Sequence, residues 1–411
     1  MSESTSTQAT AWLPRLWAVF LLALLGVTYR LWLPNSPLPS VPMFRVPEPW
    51  SVVMEWVSVG SLAAALVGLS LGGSRRLWWI VAASLATTFL LDQHRLQPWA
   101  YQSMIYATLF ASLPWPAARR WMMPLAISVY VYSGLGKLDF QFAHSVGQEM
   151  LDAASRPFGG LPETLGQEAR AALALVLPAG ECLTGLCLIP RRLRPIAGSL
   201  LIAMHAVLIG LLGPWGLDHS WGVLIWNSLL IVQAWFLFVC TTEGPSTSRP
   251  PASEFAEHRP ANRWNVGGLL ARGLIVIALV APLFERAGYW DHWLSWALYA
   301  PHSSRVDVDI HRSAVEPLGE SLRDALQYEE DGWQRLSLSQ WSLQSLGVPI
   351  YPQARYQLGL AREIARRDQL GDAVRAKIRG PSDRWSGQRA TRWALGQSEL
   401  DRASDQYWLG R

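Results

Sequence analysis

The residues best suited to chemistry in this chain sit within apolar runs. Lys137 closes the segment Tyr130-Val131-Tyr132-Ser133-Gly134-Leu135-Gly136-Lys137-Leu138-Asp139. Of the 35 Lys and Arg residues 33 are arginine, and the one other lysine is Lys377 in the polar tail. A guanidinium keeps its proton in an apolar medium, whereas a desolvated amine can lose its proton and act as a base. Glu181 and His205, each near the middle of an apolar run, join Lys137 as candidate catalytic residues. Asp92, Gln93, Arg95, Tyr130, Ser133, Trp226 and Asn227 are the candidate substrate-binding residues. An ionisable group at membrane depth is costly, so each is a functional hypothesis by default. Each also has a structural reading: a snorkelling lysine, a packed histidine, an asparagine bonding two helices, a loop cap over Asp92 to Arg95.

Spacing groups these residues further. Tyr130, Ser133, Gly134 and Lys137 fall at i, i+3, i+4 and i+7, on one face of a helix. Gly134 and Gly136 remove side-chain bulk and permit close approach by a second helix or a ligand. Glu181 has no cation in its own run, so its partner must come from another helix, with His205 nearest in depth. Asp218 and His219, in a short loop, stand where they would guard a cavity. Cys182 and Cys187 are read as packing residues. Three cysteines without a CxxC motif give neither a disulfide framework nor a zinc motif, and no metal is expected.

These residues need elements to position them. Half of the 411 residues are apolar and only 16% are charged, against about 25% charged in soluble domains. The apolar residues gather into runs long enough to cross a bilayer. This excludes a disordered chain, a collagen, a disulfide scaffold and an ordinary cytosolic enzyme. The net charge of +4 comes from loop arginines and is no nucleic-acid footprint. Nine spans are predicted: 12–32, 51–72, 76–91, 97–114, 120–138, 170–189, 194–213, 221–241 and 266–284. Many of the 23 tryptophans, among them Trp12, Trp32, Trp50, Trp99, Trp115, Trp121 and Trp221, lie at span ends as an interfacial belt.

Arginine sets the expected orientation. Arg75 and Arg76, Arg119 and Arg120, Arg191, Arg192 and Arg194, then Arg249, Arg259 and Arg263 occupy every second loop, as a cytoplasmic face requires. The first run does not read as a cleaved signal peptide. The expected protein is a multi-pass cell-membrane protein with its N-terminus inside and its C-terminus outside. Its parts are a cytoplasmic tail 1–11, an eight-helix body 12–241, a Pro/Ser-rich cytoplasmic linker 242–265, a ninth helix 266–285 and an extracytoplasmic domain 286–411. The fold class is an all-α membrane helix bundle with a small α+β C-terminal domain. In that domain 305–312 alternates as a strand and 353–378 reads as an amphipathic helix. The topology would gather the candidate residues around an outward-facing polar cavity.

The run from Tyr130 to Met150, with Asp92 to Gln102, the stretch from Met204 to Leu217 and Ile225-Trp226-Asn227, resembles a known family. It is similar to the vitamin K-dependent γ-carboxylases and their bacterial relatives, the horizontally transferred transmembrane (HTTM) proteins. DoxX and MauE membrane proteins carry a similar segment. The resemblance spans roughly residues 10–300 and implies that Lys137 is the base that deprotonates a hydroquinone. The tail 286–411 shows no peptide-binding module of the carboxylases' size.

Three functions remain in view. In the first, the cavity binds a quinone-like lipophilic molecule and Lys137 serves as a base, which would make an enzyme a carboxylase-like or quinone-linked membrane oxidoreductase. In the second, a non-enzymatic accessory protein engages an envelope protein through 286–411. The third is a transporter, for which neither inverted repeats nor broken helices are evident. The expected partners are the lipid bilayer, a lipophilic small molecule and an envelope protein, with no nucleic acid.

Overall fold

The computed structural model describes residues 12–240 and 266–407, apart from 35, 163 and 329. The predicted N-terminal tail and the Pro/Ser-rich linker, with Arg249, Arg259 and Arg263, lie outside the described residues. The chain is mostly helical. Its main helices are α1 (Trp12–Val27), α2 (Trp50–Ser70), α3 (Leu77–Leu91), α4 (Pro98–Ser112), α5 (Trp115–Lys137), α6 (Val146–Ser155), α7 (Gln167–Cys187), α8 (Arg194–Leu212), α9 (Trp221–Ala234) and α10 (Val266–Val280).

Among the described residues, five helical segments are long and apolar enough to cross a membrane: Trp50–Ser70, Gln167–Cys187, Arg194–Leu212, Trp221–Val239 and Val266–Phe284. Two shorter apolar helices, α1 and α3, accompany them. The two other expected spans coincide with α4 and α5, and α4 has an environment that differs from a lipid-facing helix. All of α4 except Met104 is buried within the bundle. That position accounts for its polar content, because protein partners replace water. Gln102 Nε2 donates to Gln233 Oε1 at 3.1 Å, and Tyr106 donates to the same oxygen at 3.0 Å. Trp226 Nε1 donates to Gln102 Oε1 at 3.1 Å, and Trp17 Nε1 to Ser103 Oγ at 3.0 Å. Paired in this way, polar groups tie α1, α4 and α9 together and offset most of the cost of their burial, although the Gln233 amide nitrogen is buried without a partner.

The C-terminal region carries an antiparallel sheet of five strands in the order β2-β3-β1-β4-β5. These are β1 (Arg305–His311), β2 (Leu326–Tyr328), β3 (Trp333–Leu336), β4 (Val374–Arg379) and β5 (Thr391–Leu395). The expected strand at 305–312 is β1. The expected helix over 353–378 is corrected: helix α12 (Ala354–Arg367), which follows α11 (Leu338–Leu346), is followed by a turn and then β4. Gln369 and Gly371 take positive φ in that turn, which ends the helix. From Val374 on, burial alternates with period two, and Val306 pairs with Ile378, Val308 with Ala376 and Ile310 with Val374. Helix α12 covers the face these apolar residues form. On the opposite face the buried Asp309 carboxylate takes Arg335 and Arg375 together, so its charge is compensated.

Several contacts among the described residues dock the sheet domain on the bundle. His94 Nε2 bonds the Pro349 carbonyl at 3.1 Å, and Arg355 Nε donates to Gln93 Oε1 at 2.8 Å. Near the end of α5, Arg384 donates to the carbonyls of Leu138 and Leu135 at 3.2 and 2.8 Å.

Candidate functional site

The site begins with the contact between α5 and α7. A Cβ on Gly134 would stand 2.7 Å from the Pro178 carbonyl oxygen and 2.7 Å from Cys182 Cβ. A Cβ on Gly185 would stand 2.9 Å from Tyr130 Cβ. These glycines let two backbones approach within the reach of short side-chain contacts. One turn past Gly134, Lys137 Nζ lies 2.6 Å from Glu181 Oε2. Lys137 also donates to Ser133 Oγ at 2.8 Å. The partner of Glu181 is therefore Lys137 and not His205, the residue favoured from depth alone. Depth along a span says nothing of azimuth, and the glycine face of α5 decides which helix Glu181 meets.

His205 belongs to a second chain of bonds. Asn227 Nδ2 donates to the Val223 carbonyl at 2.8 Å, so its Oδ1 faces His205 Nδ1 at 2.8 Å as an acceptor. Nδ1 then carries a proton, and in the neutral ring Nε2 accepts from the Tyr130 hydroxyl at 3.0 Å. Both ring nitrogens are engaged, and the tautomer follows from the partners.

The two chains meet one cavity of about 650 Å³, whose wall includes Tyr130, Ser133, Lys137, Glu181, His205 and Asn227. This volume falls within the ordinary range of small-molecule sites. Most of the remaining wall is apolar, with Leu177, Met204, Val207, Leu208, Val223 and Leu230 among its residues. Trp226 is also in the wall, with its indole nitrogen committed to Gln102.

Asp92, Gln93 and Arg95 are placed elsewhere; none of them lines this cavity. Asp92 accepts from the His94 amide at 3.0 Å, and Arg95 pairs with Glu55 at 3.0 Å and donates to the Leu31 carbonyl. Gln93 meets Arg355 of the sheet domain. The segment Asp92 to Arg95 is a buried joint between bundle and domain, and Gln97, Pro98 and Trp99 form the wall in its stead.

His219, expected from the sequence to guard a cavity, lines it, edge-on to Tyr299, and burial lowers its pKa. Tyr299 and its neighbours escaped sequence reasoning because they lie outside the apolar runs. Trp296 and Tyr299 hold positive φ of 59° and 56°, an uncommon and costly conformation for aromatic residues. The Tyr299 hydroxyl is buried and has no hydrogen-bond partner, yet Tyr299 lines the cavity. Sheet-domain residues Val348, Pro349, Ile350 and Gln357 complete that end of the wall.

A second polar cluster abuts it. Glu285 Oε1 lies 2.8 Å from His292 Nδ1 and 3.0 Å from His302 Nε2. Asp139 lies 3.4 Å from His302 Nδ1, accepts from the Phe142 amide at 2.8 Å and from Arg286 at 3.0 Å. Burial alone would raise both carboxyls; the bonds from His302, Phe142 and Arg286 hold Asp139 below the usual range. Those from His292 and His302, when both rings carry protons on the facing nitrogens, do the same for Glu285. Burial works against charging His302, but Asp139 and Glu285 outweigh it and raise its pKa.

No protein-family model matches the chain, and comparison with curated proteins and with solved structures gives no match either.

Proposed function

We propose that this is a multi-pass membrane protein that binds a lipophilic molecule with a polar, quinone-like head, and that Lys137 and Glu181 exchange a proton with that head. The observation that carries the reading is the Lys137–Glu181 ion pair in the wall of a mostly apolar cavity of about 650 Å³. The short contact gives a proton a direct path between the amine and the carboxylate. Lys137 passes a proton to Glu181, and the neutral amine then takes the proton of a ligand hydroxyl. One proton has moved from the ligand to Glu181, and the ligand oxyanion is left beside the Lys137 ammonium. The Tyr299 hydroxyl, unpartnered in the same wall, supplies a hydrogen bond to the ligand's oxygen.

The shape of the cavity favours a ligand that arrives through the bilayer. Leu177 of α7 and Val207 of α8 line it and are also 45% and 67% exposed. The wall thus reaches the apolar outer surface between these helices, while sheet-domain residues cover another part of it. The domain's part in the wall also favours a ligand-binding role over a free docking module for an envelope protein. Nine spans with the N-terminus inside and the C-terminus outside belong to the same reading. A topology reporter after Arg411 is expected to be active outside, and one near Ser253 inside.

The test is mass spectrometry of lipophilic molecules carried by the purified protein. Wild type is expected to retain a compound above the detergent and lipid background, and Leu208→Trp, which fills the cavity, to lose it. Equal recovery from both proteins would overturn the reading.

A further inference from the structure

We propose that Glu285, His292 and His302 form a binding site for a divalent first-row transition-metal ion of the zinc type. The three residues each offer one ligand atom, and these atoms lie within 4.8 Å of one another. The site does not depend on the identity of the cavity's ligand.

Hydrogen bonding decides which atoms face the centre. His292 Nε2 lies 2.9 Å from the Ala300 carbonyl oxygen, which only accepts, so this nitrogen carries a proton. In the neutral ring the lone pair is then on Nδ1, which points at Glu285 Oε1 from 2.8 Å. Two lone pairs in contact repel unless a cation lies between them. His302 repeats the arrangement with its nitrogens exchanged. Its Nε2 faces Glu285 at 3.0 and 3.1 Å from the two oxygens. Its Nδ1 is 3.4 Å from both Asp139 Oδ2 and Arg286 Nη2. The guanidinium has nearer acceptors, Asp139 Oδ2 at 3.0 Å and the Gly136 carbonyl at 3.2 Å, and Nδ1 is left to donate to Asp139.

Each imidazole thus presents one nitrogen to a shared carboxylate and anchors the other on an acceptor. This is the outer-shell pattern that fixes tautomer and ring orientation at metal-binding histidines. Asp139 is itself held by the Phe142 amide. A tetrahedral zinc ion with bonds of about 2.0–2.1 Å needs ligand atoms roughly 3.3 Å apart. The two separations from the carboxylate, 2.8 and 3.0 Å, open to that value with shifts of a few tenths of an ångström, and the two ring nitrogens lie within 4.8 Å of each other. Two nitrogens and a carboxylate suit zinc and its neighbours more than calcium or magnesium.

The cluster joins three parts of the chain. Glu285 follows the last apolar helix, His292 and His302 flank the segment that carries Trp296 and Tyr299, and Asp139 lies two residues past Lys137. An ion here would pin the positive-φ stretch of the cavity wall against the end of α5. The competing occupant is a proton on each ring, which would satisfy the same lone pairs.

The experiment uses the full chain in detergent, stripped with a chelator and dialysed against zinc alone. About one zinc per chain is expected, with a higher unfolding temperature. His292→Asn and His302→Asn should each lower zinc affinity by at least about tenfold, and Asp139→Asn by about 10–100-fold. If the variants do not fold, X-ray absorption of the zinc-loaded wild type counts the imidazoles, and two are expected. No zinc retained by wild type, zinc undiminished in folded variants, or a zinc shell without two imidazoles would each overturn the site.

Discussion

Lys137 Nζ and Glu181 Oε2 are 2.6 Å apart, across two helices, in the wall of an apolar cavity. Each is the other's charge partner, so the two positions respond together. Glu181→Gln keeps the shape and introduces no second charge of the same sign, so the protein should still reach the membrane in normal amounts. Glu181→Lys sets two ammonium groups together and should reduce the folded amount sharply, since an uncompensated buried charge costs about 3–5 kcal/mol. The double exchange Lys137→Glu with Glu181→Lys should restore accumulation. Membrane levels with size-exclusion profiles read this out, and normal accumulation of Glu181→Lys would show that the pair is not buried.

Gly134 sets the geometry of that pair. Valine there would drive its side chain into the Pro178 carbonyl and Cys182, 2.7 Å from the added Cβ. Overpacking of this kind costs about 1–3 kcal/mol. It should also part α5 from α7 and weaken the Lys137–Glu181 contact. Gly136, where an added Cβ meets only ordinary contacts at 3.6 Å, should accept alanine. A thermal-shift comparison of Gly134→Val with Gly136→Ala tests the difference, and equal losses would contradict the close-approach account.

Tyr299 is expected to separate stability from binding. Its buried hydroxyl has no partner, and such a group costs about 1–3 kcal/mol. Tyr299→Phe should therefore raise the unfolding temperature of ligand-free protein while lowering the amount of retained lipophilic molecule. A fall in both would assign the hydroxyl to the fold and not to the ligand.

The sequence made the bundle legible, and with it Lys137, Glu181, His205, Tyr130, Ser133 and Asn227, because charge and amide groups in apolar runs stand out. The one-face spacing of Tyr130 to Lys137 also anticipated the role of Gly134. What stayed hidden was long-range pairing. Asp92, Gln93 and Arg95 look like a cavity rim in sequence, but their partners are Glu55, Arg355 and backbone groups far along the chain. Tyr299 and the Glu285–His292–His302 cluster fall in a segment with no periodicity. The one local signal was two histidines and a glutamate close behind the last apolar run. The change from α12 to β4 was missed for another reason: a helical pattern was carried through the turn at Gln369 and Gly371 into a stretch of period two.

His94 gives the joint between bundle and sheet domain a pH dependence. Burial first, then the Arg95 charge beside it, lower its pKa to about 4 despite the bond to the Pro349 carbonyl. Asp92 and Tyr356 are its other titratable neighbours. A group whose folded pKa lies below its unfolded value, about 6.5 for histidine, leaves stability intact above that value. Stability is then lost as pH falls from about 6.5 toward 4, by up to roughly 3 kcal/mol. Unfolding midpoints measured across this window should fall more steeply for wild type than for His94→Gln. Parallel curves would contradict the assignment.

The most direct measurement concerns Lys137→Arg. Arginine preserves the charge, the pairing with Glu181 and the reach to Ser133, but a guanidinium holds its proton too tightly to give it up. The chain already carries 33 arginines, so the residue type itself is tolerated. Complementation of a deletion strain, with membrane level and reporter topology measured in parallel, isolates the proton chemistry. The account predicts that Lys137→Arg accumulates with normal topology and fails to complement. Full complementation by Lys137→Arg would contradict it and leave Lys137 as a structural ion-pair partner.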